Sequence, residues 1–320
     1  MSPSSPLEGK QIVLTGAGGQ VGLPIARALA PKNEVHAVAR FSNPADREQL
    51  EALGIRCVQA DLAHGDLGPL PAGPDCILNF AVSKTGTNAV VDPSGADGGD
   101  WDYDLAANAE GIGRLMGHCR EAGGVLHCST TGVYEHKGHE PLREADPLGD
   151  NHRAILPTYS LCKIAAEAVV RFAARAFDLP TTIARLNVPY GNNGGWPLTH
   201  LDMILAGQPV YVHEEQPNFF NPIHEDDIIA QIPGMLAAAS VPATILNWGG
   251  NERVSIEDWC AYMGELVGAM PKIATTTHTI ASVTVDTTQL ERQVGLPKTN
   301  WKDGLRRMIA AQRPDIELQG

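Results

Sequence analysis

Gln11-Ile-Val-Leu-Thr-Gly-Ala-Gly-Gly-Gln-Val-Gly22 is the stretch that decides the fold. A short apolar strand pattern over 11–15 runs straight into a glycine turn, and over 21–29 the apolar residues recur at helical spacing. Gly16, Gly19 and Gly22 stand three apart between that strand and that helix. Missing β-carbons there permit a tight bend and let a pyrophosphate approach backbone N–H groups at a helix N-terminus. The spacing is G-x-x-G-x-x-G and not the better-known G-x-G-x-x-G, because position 21 is valine. A glycine turn that binds nothing is the alternative; the flanking strand and helix favour a nucleotide turn.

Working outward, the same strand-then-helix rhythm continues. Strands are expected over 34–39, 56–59, 76–80, 124–128 and 181–185, and the two longest helical patterns cover 105–121 and 158–177. Ser42 is read as the cap of a helix with Pro44 in its first turn, ended by Gly54. This alternation predicts an α/β fold, a Rossmann-type doubly wound parallel sheet with a smaller mixed α/β C-terminal substrate domain. After Asn187 the rhythm loosens through Gly191-Asn-Asn-Gly-Gly195, then resumes over 223–238; Ser255 caps a further helix with Asp258, and a last one covers 303–311. The expected division is a dinucleotide-binding domain over 1–186, rejoined by about 222–248, and a mainly substrate-binding domain over 187–320. The stretch 83–100 is long for an ordinary connection, and reads either as a substrate or lid loop or as a solvated excursion.

Lys plus Arg number 24 against 37 Asp plus Glu, a net charge of −13. That acidity argues against nucleic acid and against an anionic membrane surface as partners. No apolar run reaches membrane-span length, and the first ten residues lack the charged and apolar regions of a signal peptide. The cysteines at 57, 76, 119, 128, 162 and 260 show no C-x-x-C spacing, and are read as reduced in a cytoplasmic protein. No metal site is expected: His224 with Glu225, Asp226 and Asp227 reads as a strand end followed by a helix N-terminus, where acids suit the dipole. His136 and His139 lie in a polar loop that either reaches substrate or is simply mobile.

Tyr159 and Lys163, four apart, share one helix face, where an ammonium lowers the pKa of a phenol and makes it a proton donor or acceptor. The end of the second strand bears on the cofactor. An acid there would bind the adenosine ribose; Ala39 followed by Arg40 removes the acid, adds a guanidinium and favours NADP, with NAD the alternative. Asp61-Leu62 after the third strand meets adenine or forms a plain turn, and Phe80-Ala81 after the fourth lines the cofactor floor.

With these motifs in order, the chain resembles the extended short-chain dehydrogenase/reductase family, also called the NAD-dependent epimerase/dehydratase family. The likeness runs through 15–22, Asp61-Leu62, Asn108, Cys128-Ser-Thr-Thr-Gly-Val-Tyr134, Tyr159-x-x-x-Lys163, Arg185-Leu-Asn-Val-Pro-Tyr-Gly191, Ile223-His-Glu-Asp-Asp227 and the late Gly-Leu-Arg. It implies cofactor binding by Gly16, Gly19, Gln20, Val21, Gly22, Arg40, Asp61, Leu62, Phe80, Ala81 and Lys163. It implies Tyr159 as acid/base, Lys163 on the nicotinamide ribose, and Thr130, with neighbours Ser129 and Thr131, on the reacting oxygen. Ser83, Thr131, Asn187, Trp196 and Phe220 are substrate candidates; core packing is the competing role for the aromatics, and Arg185 is read as a structural anchor.

Two departures bear on substrate. Sugar-nucleotide members carry an arginine in a run like R-D-F-I-H, whereas this chain has Phe220-Asn-Pro-Ile-His224. Dehydratases place Asp-Glu after the catalytic threonine, whereas this chain has Thr131-Gly132. The expectation is an NADP(H)-dependent oxidoreductase acting on a carbonyl or secondary alcohol of a small molecule. A nucleotide-sugar epimerase is the alternative, and a non-catalytic NADP-binding sensor a third reading. A homodimer paired through 105–121 and 158–177 is implied by the resemblance.

Overall fold

The computed structural model describes residues 7–86 and 98–319. Its centre is a seven-stranded sheet: β1 (Gln11–Thr15), β2 (Glu34–Ala39), β3 (Arg56–Gln59), β4 (Cys76–Asn79), β5 (Val125–Thr130), β6 (Thr181–Leu186) and the strand Thr244–Trp248. Across the sheet the order is Thr244–Trp248, β6, β5, β4, β1, β2, β3, and every pairing is parallel. The chain lays strands outward one way from β1 and the other way from β4. A crevice therefore opens at the C-terminal edge between those two, where ligands bind in doubly wound sheets.

The strands are apolar on both faces because helices cover both. Along β1, Ile12 and Leu14 point into one core and Val13 into the opposite one, the two-residue period of a strand. The first core is closed by α1 (Gly22–Leu29) and the helix Glu225–Ala237, the second by α4 (Gly111–His118) and α5 (Tyr159–Ala176). Between β2 and β3 lies α2 (Pro44–Ala52); α3 (Trp101–Leu105) runs into α4 through a π-helical turn, Ala106–Glu110. A third core, with Tyr190, Phe220, Trp259 and Met308, holds the second lobe together and also takes in Val133, Tyr134 and Leu142.

Some expectations shift in detail. Asn43, not Ser42, caps α2, its Oδ1 accepting from the Ala45 N–H, since Ser42 lies one residue too early. The helical run begins at Trp101, not 105, behind Asp100, whose side chain accepts from the Tyr103 N–H. Ile223–His224 pairs with Pro189–Gly191 in a small separate sheet, and it is Thr244–Trp248 that extends the main one beside β6. Ser255 and Asp258 form the expected capping box. Of the long stretch after Ser83, residues 87–97 lie outside the described ones. No helix among the described residues is long and apolar enough to cross a membrane.

One buried ion pair ties the sheet to the second lobe. Arg185 on β6 donates from Nε and Nη2 to the two oxygens of Glu167 on α5 at 2.9 and 2.7 Å, and Ser129 on β5 donates to the same carboxylate at 2.6 Å. The guanidinium also donates to the Glu144 carbonyl and lies 4.7 Å over the Tyr134 ring, whose hydroxyl donates to Asn247. The structural role expected of Arg185 is met. Removing one member strands the other charge out of water. Glu167→Ala is expected to cost about 3–5 kcal/mol, read as a lowered denaturant midpoint; an unchanged midpoint would deny the pair its anchoring role.

Candidate active site

The glycine turn packs directly on the neighbouring strand end. Gly16 sits at φ +71°, and a β-carbon there would come within 2.7 Å of the backbone of Phe80 and Ala81. At Gly22 a β-carbon would lie 2.1 Å from the Gly16 carbonyl oxygen. No side chain caps α1; the Leu23 N–H goes to the Gly19 carbonyl and Pro24 has none, which leaves the Gly22 N–H of that first turn to a ligand or solvent. Gln20 crosses to the second lobe, its Nε2 donating to the Pro189 carbonyl and its own carbonyl accepting from Asn193; Val21 stands at the N-cap of α1.

Beneath the turn a hydrogen-bond chain links three strand ends. The Thr15 hydroxyl accepts from the Ala81 N–H at 3.1 Å and donates to Asn79 Oδ1 at 2.6 Å, which turns Asn79 Nδ2 onto His127 Nδ1 at 2.8 Å. The imidazole therefore carries its proton on Nε2. Burial, and then the nearby Lys163 ammonium, hold its pKa well below the ordinary value, so it stays neutral.

Beyond β2, Arg40 Nη1 donates to the Tyr103 hydroxyl at 2.7 Å, and that hydroxyl donates to Asp61 Oδ2 at 3.1 Å. The other Asp61 oxygen accepts from the Ala63 N–H, so this carboxylate shapes its own turn as well. The Leu62 carbonyl accepts from Arg114, and the Phe80 ring packs 6.3 Å from Trp248.

Tyr159, Lys163 and Thr130 are carried by α5 and β5. Tyr159 opens α5 and Lys163 follows one turn later. Lys163 is buried, its Nζ donating to the Cys128 carbonyl at 2.9 Å. Thr130 ends β5; its hydroxyl accepts from the Gly132 N–H at 3.0 Å and lies by the Tyr159 phenol, whose pKa it lowers. Burial pushes that phenol up to about 12 while Thr130 pulls it back. Burial lowers the Lys163 ammonium, and Cys128 and Glu167 oppose it. Tyr159, Lys163 and Thr130 thus meet at the C-terminal end of β5, beside the crevice.

The substrate candidates do not all share that place. The Ser83 hydroxyl donates to Asp104 Oδ1 at 2.6 Å, and Thr85 and Thr158 bond the other oxygen. Burial raises the Asp104 carboxyl, but these hydrogen bonds outweigh it and the net pKa is depressed. Thr131 Oγ1 accepts from Asn187 Nδ2, whose other N–H goes to the Val283 carbonyl while Oδ1 accepts from Val188 and Asn221. Asn187 thus has its donors committed inside the protein. Phe220 is buried against Trp196 and Trp259, with centroids at 5.1 and 6.0 Å, so for Phe220 core packing is the observed role; Trp196 is half-buried in the same cluster. His224 caps the helix Glu225–Ala237 by accepting from the Asp226 N–H. Asp104 and His127 escaped the sequence reading; the one available signal was Asp104 standing four residues before Asn108 on the same helical face.

Comparison with known proteins agrees with this geometry. The NAD dependent epimerase/dehydratase family model matches residues 12–211. A dTDP-glucose 4,6-dehydratase of Mycolicibacterium smegmatis is 24% identical over 261 residues, 76% of this chain and 73% of that protein. Among solved structures, a UDP-N-acetylglucosamine 4-epimerase of Methanobrevibacter ruminantium in complex with UDP-N-acetylmuramic acid aligns at TM-score 0.81 and 16% identity, covering 97% of this chain and 100% of that one. A Bacillus cereus UDP-glucuronic acid 4-epimerase, in complex with UDP-glucuronic acid and NAD, aligns at TM-score 0.77 and 18% identity, covering 94% and 98%. At such identities the structural likeness is one of fold. The chain belongs to the NAD dependent epimerase/dehydratase family, the extended short-chain dehydrogenase/reductase enzymes.

Proposed function

We propose that this enzyme interconverts a carbonyl and a secondary alcohol with NADP(H), Tyr159 serving as the acid/base. The observation that carries the reading is the Tyr159 phenol on Thr130, one helical turn from the Lys163 ammonium, at the crevice edge. A dinucleotide fits the residues present: the turn at Gly16 and Gly22 leaves no room for β-carbons, and α1 begins without a side-chain cap. Gly16, Gly19, Gln20, Val21 and Gly22 would hold the pyrophosphate, Phe80 and Ala81 the floor, Asp61 and Leu62 the adenine side, and Lys163 the nicotinamide ribose. When bound, the nicotinamide supplies or accepts a hydride.

The chain supplies the proton and the positioning. Thr130 orients the reacting oxygen, and Tyr159 gives a proton to it, or takes one from it, at Oη. With the phenol lifted to about 12 by burial, positive charge is needed to bring it toward working pH, and we assign that role to Lys163, one helical turn on. Asp104 ties Ser83 and Thr85 to the entrance of α5 through Thr158, so Ser83 borders the site as part of a rigid rim.

An epimerase working on nucleotide sugars is the second reading, favoured by what the structural neighbours bind. Against it, Phe220 stands at the place of the expected arginine, and its ring is buried against Trp196 and Trp259. Net change in NAD(P)H absorbance during turnover separates the two. The intact Tyr159/Lys163 pair counts against a non-catalytic sensor. All six cysteines are free, in keeping with the cytoplasmic location we propose.

Tyr159→Phe is expected to lower turnover about 10²–10⁴-fold with dinucleotide binding kept. Lys163→Met should also shift the basic limb of the pH–rate profile upward, because loss of a cation raises the phenol's pKa; full activity in both variants would overturn the assignment. Arg40→Ala should weaken NADPH about 10–100-fold and leave NADH nearly unchanged, as read by fluorescence titration; equal losses would remove Arg40 from 2′-phosphate recognition. We propose that α5 also builds a homodimer, because Phe172 is 68% exposed on its outer face beside Ala168 and Ala176. Phe172→Glu should then halve the mass measured by light scattering, and a monomeric wild type would refute the pairing.

A further inference from the structure

Beside Tyr159 lies His152, a side chain outside every motif named so far. Its imidazole stands 5.9 Å from the Tyr159 ring, centroid to centroid, with the planes inclined by 34°. It also lies across Gly132, where a β-carbon would meet three ring atoms at 3.0–3.1 Å. Only glycine lets the imidazole approach the turn that carries Thr130 and Thr131 this closely.

The hydrogen bonds around the ring define its tautomer. The Thr131 carbonyl can only accept, so Asn151 presents Nδ2 to it, at 3.2 Å. That directs Asn151 Oδ1 to His152 Nδ1 in a short hydrogen bond. An amide oxygen can only accept as well, so Nδ1 carries the proton and Nε2 the bare lone pair. Nε2 has no hydrogen-bond partner among the described residues, and it is absent from the sealed, unpartnered atoms that include His127 Nε2. It is therefore not sealed, on a ring that is half-buried overall. Burial, and then Lys84 from the segment after β4, bring the ring's pKa down to about 4, so the lone pair persists at neutral pH. Close by, both oxygens of Asp150 and the Ser160 hydroxyl are buried without a hydrogen-bond partner among the described residues, and burial raises the Asp150 carboxyl.

We infer that His152 determines specificity: its Nε2 accepts a hydrogen bond from a substrate hydroxyl on the carbon next to the one that Tyr159 serves. The preferred substrate is then an α-hydroxy carbonyl or the corresponding vicinal diol. Because the two rings are neighbours, 5.9 Å apart between centroids, we place the two oxygens on neighbouring carbons. A carboxylate or phosphate at that spot would set lone pair against lone pair, so the subsite selects a neutral donor. The inference rests on the hydride-transfer reading for its chemistry but not for the state of the ring.

Two measurements on the full chain keep these separate. Long-range proton–nitrogen spectra of histidine-labelled protein, with the His152 signals identified by their loss in His152→Gln, should show a protonated Nδ1 and a bare Nε2 near neutral pH. In Asn151→Leu the two tautomers should mix. An imidazolium, or a proton on Nε2, overturns the inference whether or not the enzyme turns over. Acetoin against butanone, and adipoin against cyclohexanone, then serve as matched probes with NADPH and NADH. The wild type should favour each hydroxyketone in kcat/KM by about 10–100-fold. His152→Phe should abolish that preference by slowing the hydroxyketones alone, and His152→Gln, which keeps an acceptor, should retain most of it. An equal preference in wild type and His152→Phe overturns the inference. A wild type that reduces no carbonyl while its ring shows the stated tautomer overturns the hydride-transfer reading and, with it, the assigned substrate.

Discussion

A buried ammonium is costly to hold, and much of this site is organised around the one on Lys163. It sits at the end of a fully buried strand with the Cys128 carbonyl as its hydrogen-bond acceptor. Burial works against its charge, and Glu167, one turn further along α5, works for it. The neighbouring His127 stays neutral, chiefly because it is buried and then because a second cation would stand beside the first. Asn79 and Thr15 lock the neutral tautomer in place, and through the Ala81 N–H they connect it to the backbone on which Gly16 rests. The cofactor turn and the proton-transfer groups are thus two ends of one hydrogen-bonded floor.

Helix α5 sets out the polar groups at intervals of four. Tyr159, Lys163 and Glu167 share one face and meet Thr130, Cys128 and Ser129 at the end of β5. The first is the proposed acid/base, the second the proposed cation, and the third clamps Arg185, which lies over the Tyr134 ring, whose hydroxyl in turn holds Asn247 on the edge strand of the main sheet. Chemistry and lobe anchoring therefore depend on the same helix keeping its register. At its entrance, Asp104 gathers Ser83, Thr85 and Thr158, four hydrogen bonds from three residues that fix where the helix starts.

What was legible in the sequence was local. The strand before Gly16, the helix after Gly22, the four-residue spacing of Tyr159 and Lys163 and the capping box at Ser255 are patterns within a few residues, and sterics or helix geometry dictate their outcome. The substrate side was much less legible, because its partners are distant in the chain. Asn187 looked available, yet Thr131, Val283 and Asn221 use it up from 34 to 96 residues away. Phe220 read as a ligand wall or as core, with core favoured for at least one of these aromatics, and its packing on Trp196 and Trp259 decides. His152 carried no signal, since its tautomer is set by Asn151 and by a carbonyl 21 residues earlier in the chain, a relation no spacing rule contains.

The most direct test of the shared floor is a crystal structure with NADP bound. It should place the pyrophosphate on the turn from Gly16 to Gly22, the nicotinamide ribose within hydrogen-bond reach of Lys163 Nζ, and the pyridine ring beside the Tyr159 and Thr130 hydroxyls. A dinucleotide seated elsewhere, or one whose pyridine ring points away from Tyr159, would contradict it.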